Sequence, residues 1–189
     1  MGQVGSGIAD GESVAPSDQT KDAGDVMAAD TSPVAGLLFE RATVRDLDRI
    51  LRIEQESFSV PWTRKMFEVE LTQNPFGHLY VARPAEPSQE FVGYVCFWVV
   101  FEELRLMTLA VEPARRRQGI GRALLHQALA LGRGQGATKA LLEVRASNAA
   151  AVRMYEESGF YRAAVRTRYY ANPEEDAVLM ERELSNVSA

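Results

Sequence analysis

The 189-residue chain has one cysteine, Cys96, so it can form no disulfide within itself. Its two histidines, His78 and His126, have no partner at ligand spacing, and no metal site is expected. No stretch approaches the roughly 18 apolar residues of a membrane span; the strongest candidate, "FVGYVCFWVVF", stops after 11. Residues 1–36 contain no aromatic side chain and only one lysine against six acidic residues. That composition cannot bury a core, so an acidic, disordered N-terminal tail is expected ahead of a domain at 37–189. The tail carries the whole formal charge of −5, which leaves the domain neutral. A neutral domain argues against a broad basic face for nucleic acid. An acidic start without an apolar run is neither a secretory signal nor an Arg-rich transit peptide, so the expected setting is cytoplasmic, with no membrane partner.

What is present is a hydrophobic content of 46%, enough for a core, arranged as alternating strand and helix patterns. "LLFERAT" reads as a strand, and Thr43 caps a helix running to about Glu56, with Val44, Leu47, Ile50, Leu51 and Ile53 at helical spacing. Thr63 opens a second, shorter helix. "HLYVARP", "FVGYVCFWVVF" and "EELRLMTLAV" follow as strands whose short connections predict an antiparallel meander. A helix from Gly119 to about Gly132, the strand "KALLEVR", a helix capped by Ser147 or Asn148 and ended by Gly159, and two closing strands complete the order. The expected class is α+β, a mixed and mostly antiparallel sheet flanked by helices.

The segment "RRRQGIGRALL", residues 115–125, places three arginines at a helix start, the end that the macrodipole already makes positive. Such a placement is favourable only around an anion. A P-loop requires a Lys-Ser/Thr ending that is missing here, and a dinucleotide fingerprint requires a small residue where Leu124 stands. The pattern [RQ]-x-x-G-x-[GA] is met by Arg116, Gly119 and Gly121 between a strand and a helix. Its backbone N–H groups suit a pyrophosphate; the other reading is a solvated basic loop whose glycines serve the turn.

Four segments in order, "ESFSVPWTRKMF", "LAVEPARRRQGIGRALL", "LLEVRASNAAAVRMYEESGF" and "RTRYY" followed by "EDAVLM", resemble the GCN5-related N-acetyltransferase superfamily, and within it the bacterial ribosomal-protein-alanine N-acetyltransferase family. The resemblance spans residues 37–184. It implies the fold of that superfamily, acetyl-coenzyme A as co-substrate, and a protein N-terminus as acceptor, namely the N-terminal alanine of a small-subunit ribosomal protein. It implies pyrophosphate binding by Arg116, Arg117, Gln118, Gly119, Ile120, Gly121 and Arg122, a coenzyme contact from Asn148, and carbonyl polarisation by the backbone of Leu109, Ala110 and Val111. It also implies Glu143 as general base and Tyr155 as general acid.

Read without the resemblance, Glu143 is either a carboxylate whose pKa burial among Leu141, Leu142 and Val144 would raise, or a solvent-facing partner of Arg145. Tyr155 lies at helical spacing from Val152 and is either core or acid. Asn148 reads as a helix cap. Trp62 and the Tyr169-Tyr170 pair resemble segments flanking the acceptor groove, with packing the default for Trp62, and Glu102 with Glu103 read as a solvated turn. An α-amine with a pKa of about 7.7–8.0 is partly neutral near pH 7.4, whereas lysine at about 10.4 demands roughly 3.4 kcal/mol more deprotonation work. One carboxylate therefore suits an N-terminal amine better than a lysine side chain. Acetylation of a lysine or a small amine is the same-fold alternative; a non-catalytic acyl-coenzyme A sensor is the other, and it would have no use for both Glu143 and Tyr155.

Overall fold

The computed structural model describes residues 36–86 and 90–184; the expected acidic tail lies, but for its last residue, outside them. Strand β1 (Leu37–Arg41) is followed by helices α1 (Leu47–Ser57) and α2 (Arg64–Thr72). The meander β2 (Gly77–Pro84), β3 (Gly93–Val100) and β4 (Glu103–Val111) comes next, then α3 (Ile120–Gly134), β5 (Lys139–Arg145), α4 (Ala149–Glu157), β6 (Tyr161–Ala171) and β7 (Glu174–Glu183). The seven strands form one sheet in the order β1-β2-β3-β4-β5-β7-β6. All neighbours are antiparallel except β4 and β5, which α3 joins as a parallel crossover. The expected α+β order is met element by element.

Helices cover both faces. On one, α1 and α2 bury Leu47, Ile50, Ile53 and Phe67 against Tyr94 and Cys96 of β3. On the other, α3 and α4 bury Leu124, Leu125, Val152 and Tyr155 against the residues that alternate with those, Val95 and Phe97 among them. This explains why β3 reads as an uninterrupted apolar run: it is central, and both its sides are inside. Thr43 does cap the start of α1, but through a 3-10 turn over Val44–Asp46, with Asp46 completing a capping box on the Thr43 N–H. That turn leaves Val44 57% exposed, so it does not belong to the apolar face of α1.

At the far end of α3, Gly132 is buried against Leu104, and a Cβ there would overlap that fully enclosed side chain. Two residues later in the same helix, Gly134 faces open space. Overpacking costs about 1–3 kcal/mol, against about 1 kcal/mol regained in helix propensity. Gly132→Ala is therefore expected to lower the denaturant midpoint and Gly134→Ala to leave it level or raise it; equal midpoints for the two variants would contradict the packing account.

Candidate active site

The parallel pairing of β4 with β5 runs from Glu103↔Lys139 to Leu106↔Leu142 and stops. Beyond it the two strands continue, β4 through Val111 and β5 through Arg145, without pairing to each other. The divergence begins at a bulge. Cys96 of β3 pairs with Thr108, and the next residue, Phe97, pairs with Leu106, so Met107 is an extra residue in β4. Leu106 and Leu109 pack toward α3, while Met107 and Thr108 both lie on the α1/α2 side, which breaks the strict alternation. The result is a cleft through the sheet, with the backbone of Met107–Val111 along one wall and Glu143 on the other.

The N-terminus of α3 closes one end of this cleft. Gly119 caps it at φ 82° with no side-chain hydrogen bond, and no acidic residue stands in the first turn. The first helical bond runs from the Ala123 N–H to the Gly119 carbonyl, so the N–H groups of Ile120, Gly121 and Arg122 have no acceptor within the helix. Arg117, at φ 64°, adds a second left-handed residue to the loop. These N–H groups and the exposed Arg115 and Arg117 side chains fit a diphosphate.

The other two arginines of this stretch have protein partners. Arg116 donates from Nε to the Val111 carbonyl at 3.0 Å and from Nη2 to Ser57 Oγ at 2.9 Å, bracing the loop against β4 and the end of α1. Arg122 pairs with Glu157 of α4. Gly121 is small for a packing reason: a Cβ there would stand 3.3 Å from Met154 Sδ and 3.7 Å from both Leu109 and Val111, so its size lets α3, α4 and β4 meet. Asn148 caps α4, its Oδ1 accepting from the Ala151 N–H at 3.2 Å.

Glu143 is not buried, so of its two readings the solvent-facing one holds. Strand alternation sends Leu142 and Val144 into the α3/α4 core and turns Glu143 to the opposite face, where its side chain is 30% exposed. Its partner, however, is not Arg145. Arg166 of β6 places Nη1 2.9 Å from Glu143 Oε1, and hydrogen bonding to Glu143 also pushes the Tyr169 phenol above its ordinary pKa. Arg145 instead pairs with Glu175 at 3.2 Å and stacks over the Tyr170 ring at 4.1 Å.

Tyr155 is core, as its helical spacing from Val152 allows. Its ring is 8% exposed and packs edge-on to Phe160 at 5.9 Å, and burial, with Tyr170 nearby as the smaller influence, raises its pKa. The charge of Glu143 acts in turn on Tyr170, after burial, to raise that phenol. Glu143 and Tyr155 lie on opposite faces of the sheet, and Tyr170 is coupled electrostatically to each.

On the α1/α2 side lies an apolar groove of about 350 Å³ lined by Trp62, Thr63, Lys65, Met66, Val69, Glu70, Trp98 and the bulged Met107. Trp62 is half-buried and packs on Phe67 at 5.3 Å, so the packing reading holds, and it also forms part of this wall. Behind it lies a buried polar group that sequence reading missed. Glu54 of α1, 1% exposed, accepts from the Trp62 N–H at 2.8 Å and from the Tyr94 hydroxyl, which lies 3.4 Å from Thr108 Oγ1 beside the bulge. The signal was its spacing, since Glu54 follows Ile50 by one helical turn on the buried stripe.

The sequence profile of the acetyltransferase (GNAT) family matches residues 47–160. The chain belongs to the GNAT acetyltransferase family. Among its relatives, the [ribosomal protein bS18]-alanine N-acetyltransferase of Escherichia coli is 36% identical over 137 residues, covering 71% of this chain and 89% of that protein. The enzyme of the same description from Salmonella typhimurium is 35% identical over equal spans. The crystal structure of the ribosomal-protein-S18-alanine N-acetyltransferase from Escherichia coli superposes with a TM-score of 0.71 at 32% identity, covering 80% of this chain and 96% of that one. The GNAT profile ends at Phe160, before the β6–β7 hairpin that supplies Arg166, Tyr169 and Tyr170. Among the described residues of this GNAT chain no helix is long and apolar enough to cross a membrane, and no three His, Cys, Asp or Glu side chains gather as a metal site. His78 stacks on Phe97 at 5.0 Å, and Glu103, beside the β3–β4 turn, pairs with Arg105.

Proposed function

We propose that the chain transfers the acetyl group of acetyl-coenzyme A to the α-amine of a protein N-terminus, that of the alanine of ribosomal protein bS18, in the cytoplasm. The observation that carries this reading is the cleft where β4 leaves β5, with the uncapped start of α3 at one end and Glu143 on its wall. The curated relatives, which this chain matches over 89% of their length, support the choice of acceptor.

In this reading the diphosphate of the coenzyme rests on the N–H groups of Gly119–Arg122 and on Arg115 or Arg117. Its pantetheine arm follows the unpaired edge of β4, and backbone N–H groups at Leu109–Val111 face the thioester oxygen, stabilising the charge that develops there. Glu143 takes a proton from the acceptor ammonium, directly or through water, leaving a neutral amine to attack the thioester carbon. Collapse of the tetrahedral adduct breaks the C–S bond. The Tyr155 phenol, kept protonated by its burial, gives its proton to the departing thiolate, and the extra proton shed by the adduct's nitrogen, carried through solvent, restores the phenol.

A peptide panel with mass-spectrometric readout tests the acceptor. The expected product is an Nα-acetylated alanine on the peptide matching the start of bS18, with no modification when the α-amine is blocked. Acetate found only on lysine side chains or polyamines would sink this assignment.

A further inference from the structure

We propose that Arg166 is a positioning residue that holds the Glu143 carboxylate in reserve, and that the acceptor's α-ammonium reaches that carboxylate by exchanging for the Arg166 guanidinium. This rests on the reading of Glu143 as general base.

The two side chains meet at 2.9 Å at the mouth of the cleft, 52% and 30% exposed. A guanidinium stays charged at any working pH, so it can take no part in the proton transfer asked of Glu143. While it is paired there it fills the position that a cationic acceptor must occupy to lose its proton. Ammonium and guanidinium carry the same charge, so the exchange never leaves the carboxylate uncompensated. Arg166 also has somewhere to go. Strand β6 is the sheet edge, exposed along nearly its whole length, and its pairing with β7 slips between Arg166 and Tyr170, with Arg168 in the left-handed region at φ 52°. The Tyr169 ring, 5.4 Å from the guanidinium carbon, offers a cation–π resting face during the swing.

The pairing has a second consequence. With the coenzyme bound and no acceptor present, a free carboxylate would activate water instead: a C–O bond forms, the C–S bond breaks, the water proton passes to Glu143, and the thiolate leaves protonated by Tyr155. Acetate and free thiol would be wasted. Holding Glu143 under Arg166 until a cation arrives suppresses this hydrolysis.

The test compares the full chain with R166L and R166K, reading acceptor KM on an Ala-starting peptide and thiol release from acetyl-coenzyme A without acceptor. In R166L the acceptor KM is expected to fall about fivefold, the ceiling for one exposed ion pair, and thiol release to rise; R166K restores both toward wild type. The E143Q/R166L double variant shows no such fall in KM relative to E143Q. An acceptor KM that is unchanged or raised in R166L, or thiol release no faster than wild type, overturns the proposal. Wild-type turnover by E143Q alone would instead remove the base on which it rests, so the two failures are distinct.

Discussion

Glu143→Gln is expected to lower kcat by about 10²–10⁴-fold at saturating acetyl-coenzyme A, and Tyr155→Phe by a factor in the same range, the span that positioned acid–base groups supply. The two variants isolate the chemistry well. Gln keeps the shape of Glu143 and an oxygen for Arg166 and Tyr169, so the site is retained and only the proton acceptor is lost. Phe keeps the Tyr155 ring in the core against Phe160, and the hydroxyl makes no hydrogen bond within the described residues, so its removal leaves no orphaned partner. Neither substitution changes a residue of the Gly119–Arg122 segment assigned to the diphosphate, so coenzyme affinity measured by calorimetry is expected to stay at its wild-type value. Burial raises the Tyr155 pKa, which keeps the phenol in its proton-donating form throughout the working range. Loss of activity on the acid side should then owe nothing to the phenol. Because base and acid serve consecutive parts of one transfer, the double variant is expected to be little worse than the slower single one. Near-normal kcat in either single variant, with intact coenzyme binding, would remove that residue from the mechanism.

How far the site was legible in the sequence depended on whether local or long-range contacts made it. The glycine-rich start of α3 was visible because its chemistry is local: cap, positive φ and free N–H groups all sit within Arg116–Arg122. The meander was visible because β3 is apolar on both faces and its connection to β4 is short. Glu143 was singled out for its residue type, with burial and solvent both left open. The buried reading rested on neighbours in sequence, which in a strand point the other way, and the partner could not be read at all, since the side chain that meets Glu143 comes from a strand with β7 between. The bulge at Met107 left no mark at all, since nothing in "LRLMTLAV" distinguishes an extra residue from a regular one. Glu54 was passed over because a carboxylate on an apolar stripe reads as an interruption of it, and its partners Trp62, Tyr94 and Thr108 lie 8 to 54 residues further on, a range read from their positions in the chain.

That missed carboxylate carries the largest expected effect on stability. Glu54→Ala removes the acceptor of the Trp62 N–H and of the buried Tyr94 hydroxyl and opens space beneath α1, and two orphaned donors at about 1–3 kcal/mol each set a loss of about 2–6 kcal/mol. Glu54→Gln keeps one oxygen and nearly the same volume and is expected to lose much less near neutral pH. The pH dependence separates charge from shape. Burial raises the Glu54 pKa above its ordinary value of 4.5, outweighing the hydrogen bonds from Trp62, Tyr94 and Thr108 that act to lower it. A carboxyl whose folded pKa is raised gives its full stabilisation below the unfolded value, where it is protonated in both states, and loses it as pH rises through the folded pKa. Wild-type stability should therefore decline relative to Glu54→Gln from about pH 4.5 up to the raised value, and the difference should level off above it. Denaturant midpoints of the two proteins across that interval read this directly, and parallel curves would show that the Glu54 pKa is the same in the folded and unfolded chain. The carboxylate holds Trp62 on one side of the groove, while Tyr94 links it to Thr108 beside the Met107 bulge on the other. Glu54→Ala molecules that remain folded are accordingly expected to show a raised acceptor KM, because both walls of the groove lose the carboxylate that joins them.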